Sequence, residues 1–282
     1  MMIRWPRSWE WDILATLMSE RLARVERIGA ERERLSEAAV EIGLARRYAG
    51  MLHSPRRWYR ARAAENLGHF GGEEAVALLG RLLDDRDETV RAVAARALAR
   101  IGTGETARLL ARTLEDPSEL TRLRVAENLQ RVGPAAEEPL AQVLSRQNGA
   151  GAVLAAQVLG NLGADVARAE LARAARGAAS TDLRAQATLA LGKISNPGDL
   201  PTLLGAAEDP AWPVRAQAAN ALGMVGDPEA VPVLRGLVSD GEWWVRLNAA
   251  RALAGLGTPG EGPCWSCSAA PTGSRATGRR RR

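Results

Sequence analysis

The residues able to do covalent or metal chemistry in this 282-residue chain are few and scattered. Cys264 and Cys267 form "CWSC", the spacing of a redox dithiol or half a zinc site. The chain has no second pair of cysteines, no nearby histidine and no thioredoxin-like βαβ context to support either use. The two histidines, His53 followed by Ser and His69 followed by Phe, stand alone, and a metal needs several converging ligands. They read as structural positions. No Ser-His-Asp set, glycine-rich phosphate loop or nucleophile elbow appears. The sequence therefore nominates no catalytic residue, cofactor or metal ligand. What recurs is arginine preceded by tryptophan: "WWVRLNAARALAGLG" (243–257) nearly copies "WPVRAQAANALGMVG" (212–226). Trp58, Trp212, Trp243 and Trp244 all lie two or three residues ahead of such an arginine. Each indole could pack over a preceding loop, or the four could form an aromatic strip for a partner, since tryptophan is favoured at binding hot spots.

The bulk composition narrows the setting. With one Phe and two Tyr, the apolar content rests on Ala, Leu and Val, which suits close-packed helices. The net charge of +5 is uneven, with 11 basic and 8 acidic residues in 1–57, 22 and 24 in 58–257, and 5 and 1 in 258–282. The body is thus slightly acidic. The pI of about 10.1 reflects the two ends and the use of arginine at nearly every basic position, so nucleic acid is not the expected partner. The apolar run "ILATLM" (13–18) is too short for a signal core or a membrane span. Confinement of both cysteines to the last 19 residues leaves the body without a disulfide framework, as expected for a reducing compartment.

These residues are carried by a repeat. Anchors fall at Arg60, Arg91, Arg122, Ala152, Arg184, Arg215 and Arg246, spaced by 30 to 32 residues. Seven residues after each comes leucine (Leu67, Leu98, Leu129, Leu159, Leu191, Leu222, Leu253). Eleven after comes glycine (Gly71, Gly102, Gly133, Gly163, Gly226, Gly257), with Ser195 the one exception. From each anchor small and apolar residues run at helical spacing to the glycine, which permits the left-handed turn that ends a helix A. A second amphipathic run, such as "EEAVALLGRLLDD" (73–85), makes helix B and ends on acidic residues before Pro or Gly. Neither helix can bury its stripe without the next unit.

The unit "DPAWPVRAQAANALGMVGDPEAVPVLRGLVSD" (209–240) resembles a HEAT repeat of the short class named after the phycobilisome lyases, and the resemblance covers about residues 56–257. It implies an all-α solenoid, a right-handed superhelix of about seven hairpins, roughly 70–80 Å long at one helix diameter per unit. It also implies an inter-repeat ladder, for which the sequence offers Asp85/Arg91, Asp116/Arg122, Asp209/Arg215 and Asp240/Arg246, each aspartate six residues ahead of its anchor. A guanidinium tucked between units must find acceptors. Related enzymes provide alternatives. Deoxyhypusine hydroxylases bind iron through His-Glu dipeptides, which this chain lacks. HEAT-like DNA glycosylases need a basic groove, which the acidic body does not favour. Bilin attachment or chaperoning, as in phycobilisome lyases, stays open.

Outside the array, residues 1–55 suggest an N-terminal helical cap or stalk with helical runs at about 8–28 and 31–50. Residues 258–282 suggest a disordered basic tail or, alternatively, a frameshifted end of the array. Codons for Cys264 to Ser268 read one base earlier can encode Leu-Leu-Glu-Leu-Leu, the content of a helix B. In unit four, Ala152 replaces the arginine behind Gly149 and Gly151, so a soft joint is expected between units three and five. The functional reading is a non-enzymatic scaffold that binds other proteins in a bacterial cytoplasm, at the inner face of a membrane if an upstream segment anchors it.

Overall fold

The computed structural model describes residues 13, 14, 16–18, 20, 21, 30–116, 118–146 and 149–256. The described residues form helices and no strand. Seven helices A, each of 14 residues, are α3 (Arg57–Phe70), α5 (Glu88–Ile101), α7 (Glu119–Val132), α9 (Gly149–Leu162), α11 (Thr181–Ile194), α13 (Trp212–Val225) and α15 (Trp243–Leu256). Between them lie the helices B: α4 (Glu73–Leu82), α6 (Gly104–Arg112), α8 (Glu137–Ser145), α10 (Arg168–Gly177), α12 (Leu200–Ala206) and α14 (Val231–Leu237). Successive helices A pack on one another, and each from α5 onward also packs on the helix B that precedes it, so the protein is an all-α solenoid with two helical layers.

Local chemistry sets the helix boundaries. Asp87, Ser118 and Ser180 cap α5, α7 and α11 by accepting backbone N–H groups of the first turn. The repeat glycine ends its helix at positive φ, between 69° and 78°, in Gly71, Gly102, Gly133, Gly163 and Gly226. Ser195 holds the same turn at φ 56° and is the one non-glycine residue there among the described residues. Ser195→Gly removes that strain at the expense of a 3.2 Å hydrogen bond from Ser195 Oγ to the Met224 carbonyl. The expected result is a gain of about 0.5–1 kcal/mol in urea unfolding. An unchanged or lowered midpoint would show that the hydrogen bond outweighs the strain.

The repeat leucines Leu67, Leu98, Leu129, Leu159, Leu191 and Leu222 are buried in one continuous core. Between helices A the approach is set by a glycine eight residues after one anchor facing an alanine six after the next. A Cβ added at Gly68, Gly160, Gly192 or Gly223 would lie between 2.5 and 2.8 Å from the Cβ of Ala97, Ala190, Ala221 or Ala252. At α7 the pattern lapses: Ala99 and Gln130 stand where glycine would, and Asn128 and Val158 where alanine would. Accordingly α7 packs less closely on α5 and α9 than the other helices A pack on their neighbours. The loosening therefore centres on unit three. Unit four seats tightly on unit five through Gly160, and Gly151 is a packing glycine whose Cβ would sit 2.7 Å from the Leu114 carbonyl oxygen.

Ahead of the array, the run expected at 31–50 divides into α1 (Ala30–Glu41) and α2 (Leu44–Met51) at Gly43, whose φ is 79°. Helix α1 contacts α3 and α2 contacts α4, so the pair stacks as an atypical hairpin. Leu44, Tyr48 and Leu52 are buried, and the Tyr48 ring lies 5.9 Å from that of Phe70. Much of the 8–28 run, and the 258–282 tail with its "CWSC", lie outside the described residues.

Candidate protein-interaction surface

The anchor arginines sit in the first turn of each helix A and link three successive segments. Nη1 donates to backbone carbonyls six and five residues back: Arg60 to Ser54 and Pro55, Arg91 to Asp85, Arg122 to Asp116, Arg184 to Ala178, Arg215 to Asp209 and Pro210, and Arg246 to Asp240 and Gly241. In Arg60, Arg184 and Arg215, Nε and Nη2 turn toward the next unit and donate to the aspartate 25 residues on. Arg60–Asp85 is at 2.8 and 2.8 Å, Arg184–Asp209 at 2.8 and 3.1 Å, and Arg215–Asp240 at 2.8 and 3.0 Å. Arg91 and Asp116 are further apart, at 3.9 Å. Within Asp85/Arg91, Asp116/Arg122, Asp209/Arg215 and Asp240/Arg246, then, the aspartate gives its own anchor a carbonyl, while its carboxylate belongs to the preceding arginine or lies toward it. A second hydrogen bond orients them: each carboxylate also accepts the backbone N–H two residues on, as Asp209 does from Ala211, which turns it back toward the preceding unit.

These rungs are nearly dry. The side chains of Arg60 and Asp85 are 6% and 9% exposed. The Arg60 guanidinium hydrogen-bonded to Asp85 holds that carboxyl below its ordinary range despite burial. Asp240 is lowered likewise by Arg215, and Asp209 is lowered because Arg184 and the Ala211 N–H outweigh the opposing burial.

Where Ala152 removes an anchor, a different rung appears on the B layer. Arg168 donates Nε and Nη2 to Asp199 at 2.8 and 3.1 Å, with Asp165 beside it. The sequence reading missed this pair, although the two residues stand 31 apart, one repeat period. A run of side-chain hydrogen bonds, Lys193 to Asn161 at 2.7 Å and Asn161 to Gln130 at 3.3 Å, also ties units three to five on the A layer.

The four tryptophans lie at the first or second residue of α3, α13 and α15, hence along one edge of the solenoid. They remain 52% (Trp58), 41% (Trp212), 54% (Trp243) and 54% (Trp244) exposed. Trp58 stacks on Tyr59 with ring centres 3.6 Å apart, and Trp243 meets Trp244 edge-on at 4.7 Å. Glu208 and Glu242, exposed beside them, form no ion pair among the described residues. His53 is exposed and His69 half-buried, and no metal-ligating group of three or more gathers among the described residues.

Depressions interrupt both layers among the described residues. On the B layer a groove of about 840 Å³ runs between α4 and α6, floored by Val76, Gly80 and Leu109 and rimmed by Glu73, Arg81 and Arg112. On the A layer, the loosened α5–α7 contact opens adjoining clefts of about 460 and 480 Å³ around Arg96, Asn128 and Arg131.

Paired helices stacked at a fixed period with a shared arginine ladder define an α-solenoid repeat protein. Residues 45–130, 137–215 and 205–263 match the family model of HEAT repeats, and the chain belongs to that family. No curated protein matches it. Similar solved structures include YibA of E. coli (18% identity, covering 90% of this chain and 99% of that one, TM-score 0.45). Human deoxyhypusine hydroxylase in complex with glycerol is 20% identical over 88% and 97% of the two chains, with a TM-score of 0.37. The CpcE–CpcF complex of phycocyanin lyase from Nostoc sp. is 21% identical over 82% and 99%, with a TM-score of 0.36. At such identities no activity passes to this chain. Among the described residues no helix is long and apolar enough to cross a membrane.

Proposed function

We propose that this HEAT-repeat protein is a non-enzymatic scaffold that binds partner proteins along the edge formed by the first turns of its helices A. The observation that carries this reading is the half-exposure of Trp58, Trp212, Trp243 and Trp244 at equivalent repeat positions. Large indoles left in water are costly unless a partner covers them, and they give much contact area for little lost side-chain entropy. The ladder holds successive first turns at fixed spacing, so the edge is presented as a preorganised surface.

The combined variant Trp212→Ala, Trp243→Ala, Trp244→Ala tests this. The three side chains are about half in water, so the fold is expected to survive with its helical circular dichroism intact. Affinity for a partner recovered by cross-linking pull-down and then purified is expected to fall at least tenfold, each hot-spot indole contributing about 2 kcal/mol or more. Retention of every partner by the folded variant would sink the aromatic edge as the binding surface.

A further inference from the structure

A second site lies between α5 and α7, on the same layer of helices A that carries the tryptophans. In the α5–α7 cleft, Arg96 and Arg100 come from one helix and Arg124 and Arg131 from the next, with the buried Asn128 in the wall between them. Among the ion pairs of the described residues, two carboxylates engage three of these four guanidiniums. Glu65 is shared by Arg96 at 3.2 Å and Arg100 at 3.5 Å, and Glu127 pairs with Arg131 at 2.6 Å. Arg124 is exposed and makes no ion pair among the described residues. Four positive and two negative groups leave the cleft at +2. It exists because the tight glycine–alanine register lapses at Ala99 and Asn128, so that space opens where the arginines converge.

The excess charge is also densest here. In the following helices A the position of Arg124 carries Leu154, Gln186, Gln217 and Asn248, and the two cations at corresponding positions, Lys193 at that of Arg100 and Arg131 and Arg251 at that of Arg96, stand singly. A nucleic-acid backbone needs a continuous basic track that meets many phosphates, whereas a short cluster of planar forks suits one compact oxyanion. We propose that the α5–α7 cleft binds a single phosphate-type dianion through Arg96, Arg124 and Arg131, with the Asn128 amide available as a neutral donor. This site is independent of the tryptophan edge and stands or falls separately from it.

The test is isothermal titration of the full chain with inorganic phosphate against chloride at matched ionic strength. Saturable phosphate binding is expected. Arg96→Ala and Arg124→Ala should each weaken it about tenfold, the worth of a hydrogen bond between charged partners. Arg251→Ala, which removes an exposed arginine of α15 away from the cleft, should change nothing. Arg124 has no ion pair to lose, so its variant stays folded and readable. A phosphoserine peptide that binds tenfold more tightly than phosphate would assign the dianion to a protein side chain, and equal binding would assign it to a small phosphate-bearing molecule. Phosphate heats equal to those of chloride, cleft variants that bind as the parent does, or oligonucleotide binding that outcompetes phosphate and ignores the cleft variants would each overturn the proposal.

Discussion

Gly192→Val is expected to separate units five and six, with a loss of about 3 kcal/mol, at the upper end of what overpacking costs. The Cβ that valine adds would lie 2.5 Å from both the Cα and the Cβ of Ala221. Half of that obstruction is backbone, so no rotamer change relieves it, and α11 and α13 must move apart and uncover the leucines beneath them. Gly205→Ala is the matched control. Gly205 is in helix α12 with nothing within 4 Å of an added Cβ. It should follow helix propensity instead and gain up to about 1 kcal/mol. Urea unfolding of both variants, followed by circular dichroism, checks the pair. Shifts of the same sign would show that close approach between the helices A does not govern the stack. Because unfolding of repeat arrays can break into segments, probes in units five and six as well as the global signal should be followed.

Asp85→Ala is expected to cost roughly 3–5 kcal/mol, the range for breaking a buried ion pair from one side. Its removal strands Arg60, whose side chain is 6% exposed and whose Nη1 alone would keep the Ser54 and Pro55 carbonyls. Replacing both partners by apolar residues, Arg60→Met with Asp85→Leu, should recover most of that loss, since no buried charge is left over. A double variant as unstable as Asp85→Ala would show that the rung stabilises through its charge and not through satisfied burial. The ladder also sets an acid response. The carboxyls of Asp85, Asp209 and Asp240 lie lower in the folded protein than in the unfolded chain. Their contribution is therefore fully present above the unfolded value of about 3.9 and is lost as pH falls through the lower folded values. The unfolding midpoint should be level, as far as these groups go, from neutrality to about pH 5 and then decline. The Arg60→Met, Asp85→Leu variant should decline less steeply.

Much of this was legible before any coordinates. The arginine, leucine and glycine spacing fixes the helices A and their number among the described residues, because each position does one local job: guanidinium at the helix start, leucine inward, glycine at the left-handed stop. The candidate site was only partly legible. The tryptophans' place on an edge follows from their offset to the anchor, but whether an indole covers a loop or stays in water depends on the neighbouring unit. The cleft arginines escaped notice because, in one dimension, they are ordinary charges on solvated faces. The Arg168–Asp199 rung escaped because it joins the starts of two poorly patterned helices B.

Ladder partnership shows where the division falls. Periodicity named the arginines and aspartates, yet the aspartate six residues ahead gives Arg91, Arg122, Arg215 and Arg246 only a carbonyl, and the carboxylates that Arg60, Arg184 and Arg215 hold stand 25 residues further on. Likewise, Gly149 and Gly151 read as a weak point, while in the fold Gly151 admits the Leu114 carbonyl and the looser contacts are those of α7. The sequence by itself determined what each helix is and where it stops, since capping, periodicity and left-handed glycines act within a few residues. Only the stacking of units decided which charges pair, where helices touch and where a gap opens, because those outcomes depend on side chains about one repeat apart meeting across an interface.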